Sequence, residues 1–279
     1  MAIRSDLHIH TTASDGKLTP VELVASSIKI GLDVIAISDH DTIAGIPAAL
    51  EAARLSRSIA VVPGIEINCD VTDGELHVLG YFLDYTDTGL INELSRLRES
   101  RRNRGIKMVE KLNALGIPVK WNRVQEIAGT GSVGRPHVAQ AMLEGGFVAS
   151  FREAFNRYIG RDGPAYVERE KITPSGAVKL ILKSGGLPVL AHPADVPELE
   201  RFLDELVQSG LVGMEVYYNG YTPQVINNLA GLAASRRLLT TGGSDYHGLG
   251  GEAGGELGQP DVPEKCVIEL FARAGKTLP

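Results

Sequence analysis

Two stretches set the pattern of the chain: Ile3-Arg4-Ser5-Asp6-Leu7-His8-Ile9-His10 and Asp33-Val34-Ile35-Ala36-Ile37-Ser38-Asp39-His40-Asp41. Each is a short apolar run that ends on histidine or aspartate. Between them, Thr19-Pro20-Val21-Glu22 opens a helix: a Thr cap, Pro at the first helical position, Glu three residues after the cap. Strand, helix, strand in this order is the unit of a parallel α/β fold.

The alternation continues outward. A helix is expected over residues 46–57, and further apolar runs lie at 59–67, 75–82, 187–191, 211–218 and 238–241, making seven strand-like runs. Asp73-Gly74 reads as a hairpin turn between the third and fourth. Thr173-Pro174 and Thr222-Pro223 start further helices, and others are expected over 197–208 and 263–274. From 86 to 171 the pattern changes. One long helix is expected over 90–115; its stretch 96–111 carries Arg96, Arg98, Arg101, Arg102, Arg104, Lys107 and Lys111 against only Glu99 and Glu110, and shorter helices follow at 123–127, 136–143 and 151–158. This segment reads as a helical insert between the fourth and fifth strands, dividing the chain into 1–85, 86–171 and 172–279.

Composition excludes several classes. With 43% hydrophobic residues in 279, the chain has enough apolar surface to fold. Cys69 and Cys266 are its only cysteines, too few for a disulfide scaffold. The net charge of −6 rules out a globally cationic surface for duplex DNA. No apolar stretch is long enough to span a membrane and the start has no signal-peptide core, so a cytoplasmic location is expected. The 32 glycines imply tight turns or backbone lying close to a ligand. Gly129-Thr130-Gly131 and the segment from Gly248 to Gly255 lack a nucleotide fingerprint and read as flexible loops.

Five of the seven histidines, His8, His10, His40, His192 and His247, fall at or just past the C-terminal end of an expected strand, as do Glu66 and Asp245. In a parallel barrel those ends open on one face. His77 lies near the start of its run, which the hairpin turns to the same face. His8 and His10, two apart on a strand, point the same way. Imidazole nitrogens mixed with carboxylate oxygens suit manganese, zinc or iron(II). His8, His10, Asp15, His40, Glu66, His77, His192, Asp245 and His247 make nine candidate ligands, too many for one ion and enough for two or three sharing a carboxylate. Asp39 is expected beside a ligand histidine, and Asp41 as a helix cap.

At these residues the chain resembles the PHP (polymerase and histidinol phosphatase) superfamily of metal-dependent phosphoesterases. The motifs are Asp6-Leu7-His8-Ile9-His10-Thr11, Ser38-Asp39-His40-Asp41, Pro63-Gly64-Ile65-Glu66, Ala191-His192-Pro193 and Gly243-Ser244-Asp245-Tyr246-His247, in family order. The resemblance implies a distorted (β/α)7 TIM-like barrel with a trinuclear metal site. His8, His10, Glu66 and Asp245 would hold one metal and Asp15, His40 and His247 the second, with Glu66 bridging to a third held with His77 and His192. Two or three divalent ions are implied, manganese first, zinc or iron otherwise. Gly134-Arg135-Pro136-His137 is similar to a motif in the insert of nucleoside 3′,5′-bisphosphate phosphatases and of enzymes that trim short RNAs from the 5′ end. Histidinol phosphatases of the superfamily carry His rather than Asp in the Asp15 region.

The expected activity is hydrolysis of a phosphate ester, in a small nucleotide or at the 5′ end of a short RNA, by a metal-bound hydroxide with no Ser or Cys nucleophile. Arg135 and His137 are expected to hold substrate phosphate, and Arg101 and Arg104, three apart on one helix face, either a second phosphate or only solvent. Two alternatives are a metal-dependent amidohydrolase, whose metals are usually bridged from the fourth strand, and an inactive metal-binding regulatory module, which would normally have lost ligands.

Overall fold

The structure is a computed structural model, and it describes residues 2–71, 74–129, 131–168, 172–196, 198–248 and 255–278. Asp73 of the expected turn, Thr130, the insert boundary at Lys171, the helix start at Pro197 and the centre of the Gly248 to Gly255 segment lie outside the described residues.

Among the described residues, seven strands form one sheet in sequential order: β1 (Ser5–Ile9), β2 (Val34–Ile37), β3 (Ala60–Val71), β4 (Gly74–Tyr81), β5 (Leu187–Leu190), β6 (Gly213–Tyr218) and β7 (Leu239–Gly243). All neighbours are parallel except that β4 runs antiparallel to both β3 and β5. The chain just past β7 returns to β1: Asp245 N donates to His8 O at 2.9 Å, and His10 N to Tyr246 O at 3.0 Å. The sheet thus curls into a nearly closed barrel, and the single reversed strand is what distorts it.

Helices fill the crossovers: α1 (Pro20–Lys29), α2 (Ile46–Ser56), α7 (Pro174–Lys183), α8 (Leu199–Ser209), α9 (Pro223–Ser235) and α10 (Glu264–Arg273). The capping box at α1 forms as its sequence dictates, with Thr19 Oγ1 accepting from Glu22 N and Glu22 Oε2 accepting from Thr19 N. Thr173 and Thr222 cap α7 and α9 in the same way. Between β4 and β5 lie α3 (Thr88–Ala114), α4 (Trp121–Ala128), α5 (Arg135–Glu144) and α6 (Phe151–Ala154), the last continuing as a π-helical turn over Phe155–Ile159. No helix among the described residues is long and apolar enough to cross a membrane.

Packing follows the two periodicities. Val34 and Ala36 point into the barrel with Leu7, Val62, Leu79 and Val189, above a floor of Val267, Leu270 and Phe271 from α10. Their neighbours Ile35 and Ile37 pack outward with Leu23, Ala49 and Leu190. Met108, Leu112, Val124, Val138, Met142 and Ile159 form a separate core within the insert. Leu90, Leu94 and Leu97 on the first turns of α3 belong instead to the barrel's outer layer. A 27-residue helix is about 40 Å long at 1.5 Å per residue, so α3 spans both bodies.

Candidate metal centre

A local irregularity aims the first histidines. The register between β1 and β2 shifts between Asp6 and Ile9, a bulge in the strand. Leu7 faces the barrel interior, and beyond the shift it is Ile9 that packs outward. His8 and His10 therefore both turn to the barrel centre, where they are fully buried. Asp6 fixes the backbone here by accepting from Ser244 N at 2.9 Å and Gly258 N at 2.8 Å. Glycine makes the seam with β7 possible: a Cβ on Gly243 would lie 2.4 Å from His8 N.

The nine candidate ligands meet at one mouth. The Glu66 carboxylate stands at the centre with its oxygens turned to different partners. Oε2 lies 3.3 Å from Nε2 of both His8 and His10 and 2.9 Å from His40 Nδ1. Oε1 lies 2.7 Å from His77 Nδ1 and 3.1 Å from His192 Nε2. Asp245 Oδ1 is 2.9 Å from His10 Nε2 and 3.3 Å from His8 Nε2. Asp15 Oδ1 is 3.4 Å from His247 Nε2, and Asp15 Oδ2 is 3.9 Å from His40 Nε2. Among the described residues, three groups have donor atoms close enough to hold an ion: His8, His10, Glu66, Asp245; His10, Asp15, His40, His247; and His40, Glu66, His77. His10, His40 and Glu66 each belong to two. His192 stands outside these groups but touches both His77, at 3.1 Å, and Glu66.

Divalent cations fit this donor set. Among the described residues, His8 Nε2, both nitrogens of His10, Asp15 Oδ1, His40 Nδ1, Glu66 Oε2 and Asp245 Oδ1 are buried and, for all their close approaches to one another, make no aligned hydrogen bond. Each such orphan costs about 1–3 kcal/mol, so one cluster of this kind calls for cations to satisfy it. The other faces of His8 and Asp245 are already occupied. His8 Nδ1 lies 3.2 Å from Glu215 Oε1, and Glu215 Oε2 also accepts from His192 N at 2.8 Å. Tyr218 Oη donates to Asp245 Oδ2 at 2.8 Å. These contacts leave His8 Nε2 and Asp245 Oδ1 turned to the centre. Left-handed backbone at His192 (φ 25°), Asp245 (φ 52°) and Asp41 (φ 51°) marks the same place.

Electrostatics agree. Burial opposes charge on His8, but the carboxylates of Asp245, Glu215 and Glu66 outweigh it and raise its pKa well above the ordinary value. At His247 burial is likewise outweighed, chiefly by Asp15, and the pKa rises to about 10. Burial opposes ionisation of Glu66 and Asp245 too, yet the surrounding histidines hold both carboxyls well below the usual range. Without a cation the site thus stores protons as its counter-charge.

The insert supplies the rim. A cavity of about 150 Å³ is lined by Asp15, His40, Asn68, His77, Arg101, Arg104, Arg135, Pro136 and Phe155. Arg135 is the first residue of α5, not part of a preceding loop, and its guanidinium stacks on Phe155 at 5.5 Å. His137 is buried and its Nδ1 accepts from Gly134 N at 2.8 Å, which leaves Nε2 for other partners.

Three sequence expectations change. Arg101 and Arg104 are only 5% exposed, so the solvated-face alternative fails. Asp41 does not cap α2, whose first turn is preceded by Gly45; it is buried and accepts from Arg101 Nε at 2.6 Å and from Asn68 N at 3.1 Å. Asp39 accepts from Thr11 N, Thr11 Oγ1 and Ser14 Oγ, and so holds the loop before Asp15 instead of a histidine. Sequence reasoning missed Glu215, Tyr218 and Asn68. Arg101 donates to Asn68 Oδ1, and Asn68 Nδ2 to His77 Nε2. Glu215 was detectable as an acid inside an apolar strand.

Comparison with known proteins gives the same picture. The PHP domain family model matches residues 6–159. The chain is 35% identical to the 5′-3′ exoribonuclease Rnm of Salmonella typhimurium, over 88% of this chain and 86% of that protein. It is 29% identical to a 3′,5′-nucleoside bisphosphate phosphatase of Chromobacterium violaceum, over 94% and 93%. A crystal structure from Bifidobacterium adolescentis, described as a metal-dependent phosphoesterase, superposes with a TM-score of 0.88 at 30% identity, covering 98% of this chain and 97% of that one. With the family's model matched over more than half its length and relatives similar almost end to end, the chain belongs to the PHP domain family.

Proposed function

We propose that this hydrolase of phosphate esters acts on nucleotides: either a small nucleotide such as a nucleoside 3′,5′-bisphosphate or the 5′ end of a short RNA. The observation that carries the reading is the set of orphaned, buried nitrogen and oxygen donors turned on one point beneath Arg101, Arg104 and Arg135. The names of the relatives, an exoribonuclease and a bisphosphate phosphatase, support the nucleotide class.

In this reading His8, His10, Glu66 and Asp245 hold one divalent cation, Asp15, His40 and His247 a second, and Glu66 shares a third with His77 and His192. Manganese is our first assignment, as the family resemblance implies, and the mixed imidazole and carboxylate set also suits zinc and iron. Bound cations would neutralise phosphoryl oxygens and lower the pKa of water at the site. The chain's own side chains do the rest. Glu66, with one oxygen toward each side of the cluster, ties the ligand sets together. Glu215 and Tyr218 hold His8 and Asp245 in place. Arg135 grips phosphate with a fork of donors, and His137 adds Nε2. Arg104 adds charge from α3.

We take residues 86–171 as a separate insert that roofs a barrel made of 1–85 and 172–279, an assignment supported by the insert's own core. A reducing, cytoplasmic setting fits two buried cysteines that form no disulfide.

The test is a panel of phosphate esters that includes adenosine 3′,5′-bisphosphate and a 5′-phosphorylated oligoribonucleotide, with manganese added. We expect release of phosphate or mononucleotide that stops with EDTA and returns with manganese. Hydrolysis of amide substrates alone would replace the reading with the amidohydrolase one.

A further inference from the structure

Beside the catalytic cavity lies a second one of about 370 Å³, and Arg104 lines both. Its wall is a single stripe of α3: Arg96, Ser100, Asn103, Arg104 and Lys107, spaced at three and four residues as one helix face requires. Glu168 faces them from the end of the insert. We infer that this groove binds the part of a single-stranded RNA that continues 3′ from the scissile phosphate. The inference rests on the nucleotide phosphoesterase reading and narrows its substrate to an oligonucleotide.

Three observations point there. First, Arg104 is nearly buried and common to both cavities, so a chain that leaves the metal ligands on this side enters the groove directly. Second, the charge is local. In a protein of net charge −6, the groove gathers Arg96, Arg104 and Lys107. Arg96 also pairs with Glu93 at 2.6 Å; the acids of the groove are Glu99, which pairs with Arg102 at 3.6 Å, and Glu168. Cations in a row with exposed Asn103 and half-buried Ser100 between them suit phosphates alternating with sugars and bases. Third, the length is right. Arg96 to Lys107 spans about 16 Å of helix at 1.5 Å per residue. A stacked strand advances about 3.4 Å per nucleotide, so a few nucleotides fit. A mononucleotide bisphosphate needs none of this surface.

The test compares two substrates on the full chain with its metal. Lys107 and Asn103 are exposed and outside the catalytic cavity, so Lys107→Ala and Asn103→Ala report on the groove alone. For a 5′-phosphorylated pentaribonucleotide, Lys107→Ala should raise KM about fivefold, the worth of one exposed ion pair. It should also flatten the dependence of log KM on log salt by about 0.7, the share of one phosphate contact with a single strand. KM for adenosine 3′,5′-bisphosphate should stay at the wild-type value for both variants. Equal changes for the two substrates, or no change for either, would overturn the inference. So would a wild-type enzyme that hydrolyses the bisphosphate and leaves the oligonucleotide intact, an outcome under which the phosphoesterase reading still stands.

Discussion

Arg101 Nε lies 2.6 Å from Asp41 Oδ2, and both side chains are buried. This ion pair joins α3, which carries the insert, to the loop after β2 that presents His40. The contact continues through Asn68 to His77, so the roof and the ligand cluster are held by one hydrogen-bonded chain. Neutralising Asp41 takes one counter-charge from a buried guanidinium. Asp41→Asn keeps the size and tolerates the left-handed backbone at this position. It should cost about 3 kcal/mol of stability and lower kcat/KM through a displaced His77. Urea unfolding and steady-state kinetics on the same preparation check this. A variant as stable as wild type would show that the pair is not holding the two bodies together.

Asp245 Oδ1 is orphaned and faces two histidines, while Oδ2 is held by Tyr218. Asp245→Asn removes the negative charge with little change in shape. Activity should fall on the order of a hundredfold or more, since even outer contacts of a metal ligand are worth ten- to a hundredfold. Metal analysis of the purified variant should show less bound manganese than wild type. Full turnover with full metal content would remove Asp245 from the ligand set.

Arg135 stacks on Phe155 and lines the cavity together with Asp15 and His40. Arg135→Ala should therefore act on binding. A charge-assisted hydrogen bond is worth about 1.5–3 kcal/mol, so KM should rise roughly ten- to a hundredfold while kcat holds nearer its wild-type value. Initial-rate kinetics over a range of substrate concentrations separate the two, and an unchanged KM would take Arg135 out of substrate binding.

Metal-free protein should depend on pH in a defined direction. Burial of His247 opposes its charge, but Asp15 and Asp245 raise its pKa from 6.5 to about 10. The folded value lies above the unfolded one, so the stabilisation is complete below about pH 6.5 and is lost as pH rises through about 10. The melting temperature of EDTA-treated protein should fall across that window. Divalent cations replace those protons, so they should flatten the curve and release protons on binding. Thermal melts from pH 6 to 10, with and without manganese, and calorimetry in buffers of different ionisation enthalpy measure both effects.

Much of this arrangement was legible in the chain. Apolar runs alternating with capped helices specify strands and crossovers because periodicity and caps are local properties of neighbouring residues. Histidines and acids placed at run ends specify a shared face because parallel strands all end on one side. Gly242-Gly243 misled: the expected run stops at Thr241, whereas β7 extends to Gly243. These glycines, which the expected run left out, are there because a Cβ on Gly242 would lie 2.2 Å from Tyr217 O. The strand fits between its neighbours only with glycine.

What the sequence by itself determined is the inventory: seven strands, a run of helices after the fourth, and nine ligand-type side chains delivered to one end. Tertiary structure alone decided which atom of each side chain faces the centre and which is held from behind. His8 and Glu215 are 207 residues apart, and Asp41 and Arg101 are 60 apart. Such pairs depend on how the strands curl and where α3 crosses the barrel mouth, and neither is encoded in any local run of residues. The burial that turns Arg101 from a surface charge into a strap has the same origin, since it exists only once two separately packed bodies meet.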